Sequence, residues 1–189
     1  DGPGNYPVSL VVTNILGCSD TLIQSNVIEV YTPPTAAYQA TDTSGCVPFR
    51  VDFTDFSSSP YGIVGWEWIV EGTTGGGLSQ NFCYFFDQAG DFEVLLVVTD
   101  GQGCTDTLRR TIHAHENPIA NFFSVDSLGC APADVRFTDV SSSVPVSWLW
   151  DFGDGGTSNQ QNPVHTYQAD GIYTVGLQIV DVNGCVGEV

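Results

Sequence analysis

The sequence predicts an all-β chain built from tandem β-sandwich repeats. Three observations support this fold class. Val, Thr, Ser, Gly, Phe and Tyr dominate the composition, stretches of alternating apolar and polar residues recur along the chain, and turns rich in Gly and Pro separate them. The 189 residues are 42% hydrophobic, so the chain can bury a core. No apolar stretch approaches the ~20 residues that are needed to span a bilayer.

The chain is strongly acidic. It carries 22 Asp and Glu against four Arg and no Lys, for a formal net charge of −18. Binding to phosphates depends on Lys and Arg, so nucleic acid and anionic lipid are excluded as partners. A surface of this charge instead attracts cations and keeps the chain soluble. We therefore expect neither nucleic-acid binding nor direct insertion into a membrane.

One strand pattern occurs three times, at residues 4–14, 90–100 and 171–181. Each copy reads Gly-x-aromatic-x-Val-x-Leu-x-apolar and runs into a Gly-Cys turn. The alternation of apolar and polar residues predicts a strand with one buried face. The turn cysteines of the three copies are Cys18, Cys104 and Cys185.

A second pattern occurs twice, at residues 45–55 and 129–139. Each copy begins Gly-Cys-x-Pro, continues to Phe-Thr-Asp, and is followed by a serine triplet and a Trp-x-Trp strand. The tryptophans are Trp66, Trp68, Trp148 and Trp150. Alternate residues of a strand point the same way, so each pair is predicted to face the core. The alternative is an exposed aromatic platform for sugar.

The order of these patterns divides the chain into three repeats, over residues 1–32, 33–116 and 117–189. The predicted linkers, at residues 32–34 and 117–118, contain Pro, which stiffens such joints. The first repeat carries only the last two strands of the pattern, and the third lacks a counterpart of residues 105–114. We therefore expect the sequence to be part of a longer array.

Three segments carry a resemblance to a known family. They are Trp-Asp-Phe-Gly-Asp-Gly at residues 150–155, Asn-Pro-Val-His-Thr-Tyr at 162–167 and Gly-Ile-Tyr-Thr-Val at 171–175. Together they closely resemble the PKD domain family, which implies Ig-like β-sandwiches of an extracellular protein. Residues 33–116 depart from the family, because Trp-Ile-Val-Glu-Gly replaces the Asp-rich turn at 68–72. The paired Gly-Cys positions resemble large surface proteins of Bacteroidota, including gliding adhesins and other type IX secretion cargo.

Six cysteines in an acidic β-repeat chain indicate an oxidising compartment. Within a repeat we expect Cys46 to pair with Cys104, and Cys130 with Cys185. Cys18 would then pair with a residue that precedes this sequence. Chain entropy gives each such bridge an upper contribution of roughly 4 kcal/mol.

Cys83 has no cysteine counterpart in the next repeat, where Val164 stands. It is predicted to be a buried free thiol, and the alternative is a bridge to another chain or outside the repeat pattern. A zinc site is not expected, because the sequence has no Cys-x-x-Cys and no Cys/His cluster.

Asp151 and Asp154 lie in the Gly-rich turn and are candidate calcium ligands, because carboxylates suit a hard cation. The alternative is structural, with short Asp side chains accepting backbone N–H bonds that fix the turn. No other cofactor is expected. His165 is predicted to be packed and hydrogen-bonded rather than catalytic. His113 and His115 share a strand face, which leaves adventitious metal binding open.

Thr21, Thr107 and Ser127 stand in Asp-Ser/Thr-apolar triplets, which resemble the O-glycan acceptor of Bacteroidota. The sequence contains no Gly-x-Ser-x-Gly, His-Glu-x-x-His or phosphate-loop motif. Its many carboxylates reflect an acidic surface, and no two of them stand out as a general acid and base. We therefore expect no enzymatic activity.

The function predicted from the sequence is structural. The repeats would form the stalk of an extracellular or cell-surface adhesin, with neighbouring repeats and with protein or glycan ligands as partners. The alternative is an accessory spacer or binding module of a secreted hydrolase. A third possibility, a calcium-gated linker, depends on the Asp151 and Asp154 turn.

Overall fold

The computed structural model describes residues 2–73, 76–125 and 128–189, and their regular secondary structure is entirely β. The all-β prediction is confirmed. The chain divides into two compact units: the first comprises Asp1–Thr41, Asp52–Tyr84 and Glu93–Thr111, and the second comprises Asp42–Val51, Phe85–Phe92 and Ile112–Val189. Because both units draw on separate stretches of the chain, the repeat boundaries at residues 33 and 117 stay predictions. Among the described residues, no helix has the length and apolar character to cross a membrane.

Strands occur along both halves of the chain. In the first half of the chain they are β1 (Gly4–Thr13), β2 (Ser19–Val30), β3 (Tyr38–Ala40), β4 (Ser44–Cys46), β5 (Phe49–Asp55), β6 (Ile63–Val70), β7 (Gly76–Gly77) and β8 (Phe82–Phe86). In the second half they are β9 (Gly90–Asp100), β10 (Thr105–His115), β11 (Phe122–Val125), β12 (Ala133–Asp139), β13 (Pro145–Asp151), β14 (Thr157–Ser158), β15 (Val164–Tyr167), β16 (Gly176–Asp181) and β17 (Val186–Glu188). They pair in the orders β1-β2, β3-β5-β8, β4-β10-β9-β6-β7, β11-β12-β15 and β14-β13-β16-β17.

The first copy of the Gly-x-aromatic pattern forms an antiparallel hairpin, β1 with β2. Its apolar side chains stay exposed on both strands, with Leu10 at 59% and Leu22 at 57% of full exposure. The predicted buried face is therefore wrong for this copy, because the two strands pair only with each other in the described sheets. A two-stranded ribbon of this kind is marginally stable at best in water.

The second copy, β9, has the predicted buried face. Val94, Leu96 and Val98 alternate along the strand and are each fully buried. They belong to the first unit, where β6 pairs antiparallel with this part of β9. The ring of Trp68 on β6 lies edge-on to Tyr38, with 5.1 Å between ring centroids, so the aromatic residues of this unit share one core.

Residues 117–189 form a sandwich of two sheets within the second unit. The three-stranded sheet β11-β12-β15 and the four-stranded sheet β14-β13-β16-β17 both contribute to one buried cluster. Its members are Ala120, Val135, Phe137, Trp150, Phe152, Tyr167, Leu177 and Ile179. Side chains from facing sheets that share one core define a β-sandwich.

The third copy of the Gly-x-aromatic pattern departs from the prediction at its start. Strand β16 begins at Gly176, whereas the alternation predicted a strand from Gly171. The preceding residues pack against other groups instead. A Cβ on Gly153 would collide with the carbonyl of Thr174, and the ring of Tyr173 stacks on Tyr167 at 4.3 Å. Close packing on the Asp-rich turn therefore replaces strand pairing over these residues.

Candidate functional site

The Gly-Cys-x-Pro segment after β3 is hydrogen-bonded to the residues that lead into 117–189. Strand β4 runs parallel to the end of β10, and Cys46 stands opposite His115. The backbone N–H of Val47 donates to the carbonyl of His115 at 2.9 Å, and the Asn117 side-chain amide donates to the carbonyl of Val47 at 2.5 Å. This segment therefore fixes the conformation of the predicted linker at Asn117.

A disulfide reinforces the same place. Cys46 bonds to Cys185, with their Cα atoms 5.5 Å apart and 139 positions between them in sequence. Cys185 lies in the Gly-Cys turn after β16 and is fully buried. Two residues later, Gly187 lies so close to the carbonyl of Pro118 that a Cβ would collide with it. The bridge, the hydrogen bonds and this close approach together join the Gly-Cys-x-Pro segment to residues 117–189 within the second unit.

The predicted pairing of Cys46 with Cys104, and of Cys130 with Cys185, is wrong. Cys104 immediately precedes β10, whereas Cys46 lies beside the last residue of that strand. Eleven extended residues, roughly 36 Å at about 3.3 Å each, separate the two ends, far beyond the reach of a disulfide. Cys104 is a partly buried free thiol, and Cys18 and Cys130 are exposed free thiols.

Cys83 is also a free thiol, but it is exposed, so the prediction of a buried thiol is wrong. Strand β8 alternates, with Phe82 and Tyr84 half-buried and Phe86 fully buried. Because successive side chains of a strand point to opposite faces, Cys83 faces solvent.

The Asp-rich turn between β13 and β14 is held by its own carboxylates. One oxygen of Asp151 accepts the N–H of Gly153 at 2.9 Å, and one oxygen of Asp154 accepts the N–H of Gly156 at 2.9 Å. The other oxygen of Asp154 contacts Nε2 of His165 at 2.7 Å. The hydrogen bond with His165, followed by that from Gly156, holds the pKa of Asp154 below its ordinary value. The contacts favour the structural alternative for these two residues, and calcium binding stays a prediction.

The histidines each have their own partner. His165 stacks on Phe152, with ring centroids 4.1 Å apart, and this confirms the prediction of a packed, hydrogen-bonded side chain. Nδ1 of His113 contacts Asp91 at 2.8 Å, and Nε2 of His115 contacts the hydroxyl of Ser44 at 2.9 Å. Within the part of the chain that the structure describes, no group of three or more His, Cys, Asp or Glu is placed to hold a metal ion.

The tryptophans confirm the prediction that their strand faces the core. Trp68 and Trp150 are 1% and 0% exposed, and each indole N–H donates to a backbone carbonyl, of Ser79 and Gln160 respectively. They cannot form an exposed platform for sugar.

Trp66 and Trp148 are partly buried, and their indole N–H groups reveal a network that the sequence reasoning did not anticipate. Each donates to an aspartate at 2.8 Å, Trp66 to Asp55 and Trp148 to Asp139. These aspartates end the repeated Phe-Thr-Asp motif, and the recurrence of Asp in that motif was the available signal.

The same carboxylates also accept hydrogen bonds from the first serine of each serine triplet. Asp139 accepts the N–H of Ser141 at 3.0 Å and a weaker contact from the amide of Gln161 at 3.4 Å. Asp55 makes the equivalent contacts with Ser57 at 2.9 Å and Gln80 at 3.4 Å. Each Asp therefore ties the end of its strand to the Trp-x-Trp strand and to the loop before the next strand.

Asp139 predicts a pH effect on stability. Burial acts to raise its pKa, but hydrogen bonds from Ser141 and Trp148 outweigh burial and leave the pKa below its ordinary value. The stabilisation is therefore present above the unfolded pKa of about 3.9 and is lost as the pH falls through the lower, folded pKa. We expect the melting temperature of Asp139→Asn to fall less than that of the wild type between neutral pH and about pH 3. Asp42→Asn, at an exposed position, is the control. If the melting temperature falls with pH equally steeply in the two variants, Asp139 does not cause the loss of stability at acid pH.

The predicted glycan acceptors lie partly within the described residues. Thr21 and Thr107 are exposed on β2 and β10, so both hydroxyls are accessible for modification. Ser127 lies outside the described residues. Glycosylation of all three stays a prediction.

A cavity of about 470 Å³ lies in the second unit beside strands β12 and β15. Its lining combines polar and apolar surface and includes the stacked rings of Tyr167 and Tyr173 together with Ile172, which is fully exposed. Asp170 contributes a carboxylate to the lining.

Two facing sheets around an aromatic core make residues 117–189 an Ig-like β-sandwich module. A family model described as PKD domain matches residues 115–189, which supports the PKD domain family for this segment.

Two collagenases match short stretches of the chain. A microbial collagenase of Vibrio alginolyticus is 40% identical over 65 residues, which are 32% of this chain and 8% of that protein. Collagenase ColQ1 of Bacillus cereus (strain Q1) is 56% identical over 39 residues, which are 21% of this chain and 4% of the collagenase. Among solved structures, the PKD1 domain of Vibrio anguillarum Epp is 23% identical with a TM-score of 0.40, and the match covers 46% of this chain and 98% of that domain.

The matched stretches are small parts of the two collagenases, and most of each enzyme has no counterpart here. The prediction that this chain is not an enzyme is confirmed by these matches, which align it with a PKD portion and not with a whole collagenase.

Proposed function

We propose that this chain is a spacer of an extracellular protein, in which β-sandwich repeats are joined by stiffened junctions. The observation that carries the proposal is the bridge from Cys46 to Cys185, set beside the hydrogen bonds of Val47 and Asn117. Neighbouring modules that are connected only by the peptide bonds of a linker can reorient relative to each other. A linker that is also held by a disulfide and by hydrogen bonds restricts that motion. A structural disulfide also supports an oxidising, extracellular location.

The more specific form of the proposal is a stalk that presents the adhesive regions of a large cell-surface protein. The repeated Gly-Cys positions, which resemble those of Bacteroidota gliding and type IX secretion adhesins, support it. So does the acidic surface, because like charges disfavour collapse of repeats onto each other.

Pulling a single chain from its two ends tests the spacer role. With the bridge intact, the residues between Cys46 and Cys185 are shielded from force, and reduction releases roughly 480 Å at about 3.5 Å per extended residue. The double variant Cys46→Ser/Cys185→Ser should extend to the full length without reductant. An oxidised wild-type chain that already extends to its full length at low force would refute a cross-linked spacer.

The second candidate is a binding module attached to a secreted hydrolase. The identity with two proteins named as collagenases favours it, and the cavity beside Tyr173, with its aromatic rings and mixed polar and apolar lining, offers a place for a protein or glycan ligand. Cosedimentation with insoluble collagen tests it. Binding by the wild type that is lost in Tyr173→Ala and kept in the control Val182→Ala, an exposed position outside the cavity lining, would favour the module. If the wild type does not bind collagen, the binding-module proposal fails and the spacer proposal is retained.

A further inference from the structure

The observed disulfide pairs two cysteines that occupy different positions in the repeat. Cys46 belongs to the Gly-Cys-x-Pro motif of residues 33–116, and Cys185 belongs to the Gly-Cys turn of residues 117–189. The bridge therefore runs from one repeat to the repeat that follows it. Each of these two positions recurs elsewhere in the chain, at cysteines that form no disulfide with any of the described residues.

The turn cysteines adopt the same local structure in all three copies. The N–H groups of Cys104 and Cys185 donate to the carboxylates of Asp100 and Asp181, at 3.0 and 2.9 Å. The N–H of Cys18 donates to the side-chain oxygen of Asn14 at 3.1 Å. The glycine before each cysteine has φ close to +80°. Cys18 and Cys104 are therefore held in the backbone geometry in which Cys185 forms its bridge.

The Gly-Cys-x-Pro cysteines also correspond. Cys46 and Cys130 both precede the strand that ends in Phe-Thr-Asp, β5 and β12. Cys130 is exposed, so its thiol is open to a partner outside residues 117–189.

We propose that every such bridge runs from the Gly-Cys-x-Pro cysteine of one repeat to the Gly-Cys turn cysteine of the next. Cys130 is then the first half of a bridge that a following repeat completes. Cys104 and Cys18 are the second halves of bridges from preceding repeats. Cys83 stands outside the scheme as a thiol. This inference concerns pairing alone and holds whether the repeats act as spacers or as binding modules.

Formation of each bridge needs a disulfide oxidant, such as oxidised glutathione or an oxidised thiol–disulfide protein. The thiolate of one cysteine attacks the oxidant, forms a mixed disulfide and releases one reduced thiol. The thiolate of the second cysteine attacks the mixed disulfide, forms the bridge and releases the other reduced thiol. Both protein thiols lose their protons, and two electrons pass to the oxidant.

The test uses the full chain with residues 33–116 present twice in succession, refolded with oxidised and reduced glutathione. Thiols are alkylated in denaturant without reductant and mapped by mass spectrometry. We expect the first copy's Cys46 to bond to the second copy's Cys104, and the second copy's Cys46 to bond to Cys185. Cys130 and the first copy's Cys104 should be alkylated.

A matched variant with Cys46→Ser in the first copy makes the outcome unambiguous. We expect alkylation of Cys104 in both copies, while the bridge to Cys185 is retained and shows that the chain has folded. Alkylation of only one Cys104, or a peptide that joins Cys130 to Cys185, would overturn the proposal in favour of bridges within repeats. Alkylation of both copies of Cys104 in the chain without the substitution would overturn it as well.

Discussion

Replacing Cys46 and Cys185 together by serine is expected to lower the free energy of unfolding of the second unit by up to about 5 kcal/mol. The bridge closes a loop of 139 positions, and the entropy that a cross-link removes from the unfolded chain grows with the logarithm of loop length. The figure is an upper one, because it assumes that the bridge acts only on the unfolded chain. Denaturant unfolding followed by tryptophan fluorescence measures it.

Cys83→Ser is the matched control for the loss of a cysteine. Cys83 is an exposed free thiol, and exposed substitutions usually change stability by less than about 0.5 kcal/mol. Reduction of the wild type should reproduce the unfolding midpoint of the double serine variant. If the oxidised wild type and that variant unfold at the same denaturant concentration, the bridge contributes nothing to stability.

Trp150→Ala is expected to lower the free energy of unfolding by about 3 to 5 kcal/mol, the range for truncating a large aromatic side chain in a protein core. Trp150 is fully buried, and its ring lies 5.0 Å from Phe122 and 5.5 Å from Phe137. Its indole N–H donates to the carbonyl of Gln160. The substitution removes this donor and leaves the carbonyl without that hydrogen bond. Melting temperature and denaturant midpoint of the full chain give the measurement.

Leu149→Ala is the control on the neighbouring position of the same strand. Leu149 is 47% exposed, and its side chain points to the opposite face of β13. We expect it to change stability much less than Trp150→Ala does. Equal losses for the two variants would mean that the Trp-x-Trp strand does not face the core.

Much of the fold could be predicted because strand alternation is a local property. Val94, Leu96 and Val98 alternate with polar or half-buried neighbours and are buried as the pattern indicates. The same reasoning correctly placed Trp68 and Trp150 in the core. It was wrong for β1, where the pattern is equally regular but the described sheets supply no second layer to cover Leu10.

The polar part of the candidate site was harder to predict. The Phe-Thr-Asp motif was visible, but its role depends on the indole N–H of a tryptophan that is 9 residues away in one repeat and 11 in the other. Such a hydrogen bond forms only when two strands are brought together by the sheets. Calcium binding at Asp151 and Asp154 and glycosylation at Thr21, Thr107 and Ser127 stay predictions.

The sequence by itself determined the all-β fold, the three copies of the repeat pattern and the positions of the cysteines within that pattern. These follow from residue type and spacing along the chain, which need no knowledge of distant contacts. Only the tertiary structure decided which cysteines bond. Strand β4 pairs with the far end of β10, so Cys46 lies a whole strand length from Cys104 and next to the Gly-Cys turn that contains Cys185. A disulfide requires Cα atoms within about 7 Å, and that distance is a property of strand pairing rather than of spacing in sequence.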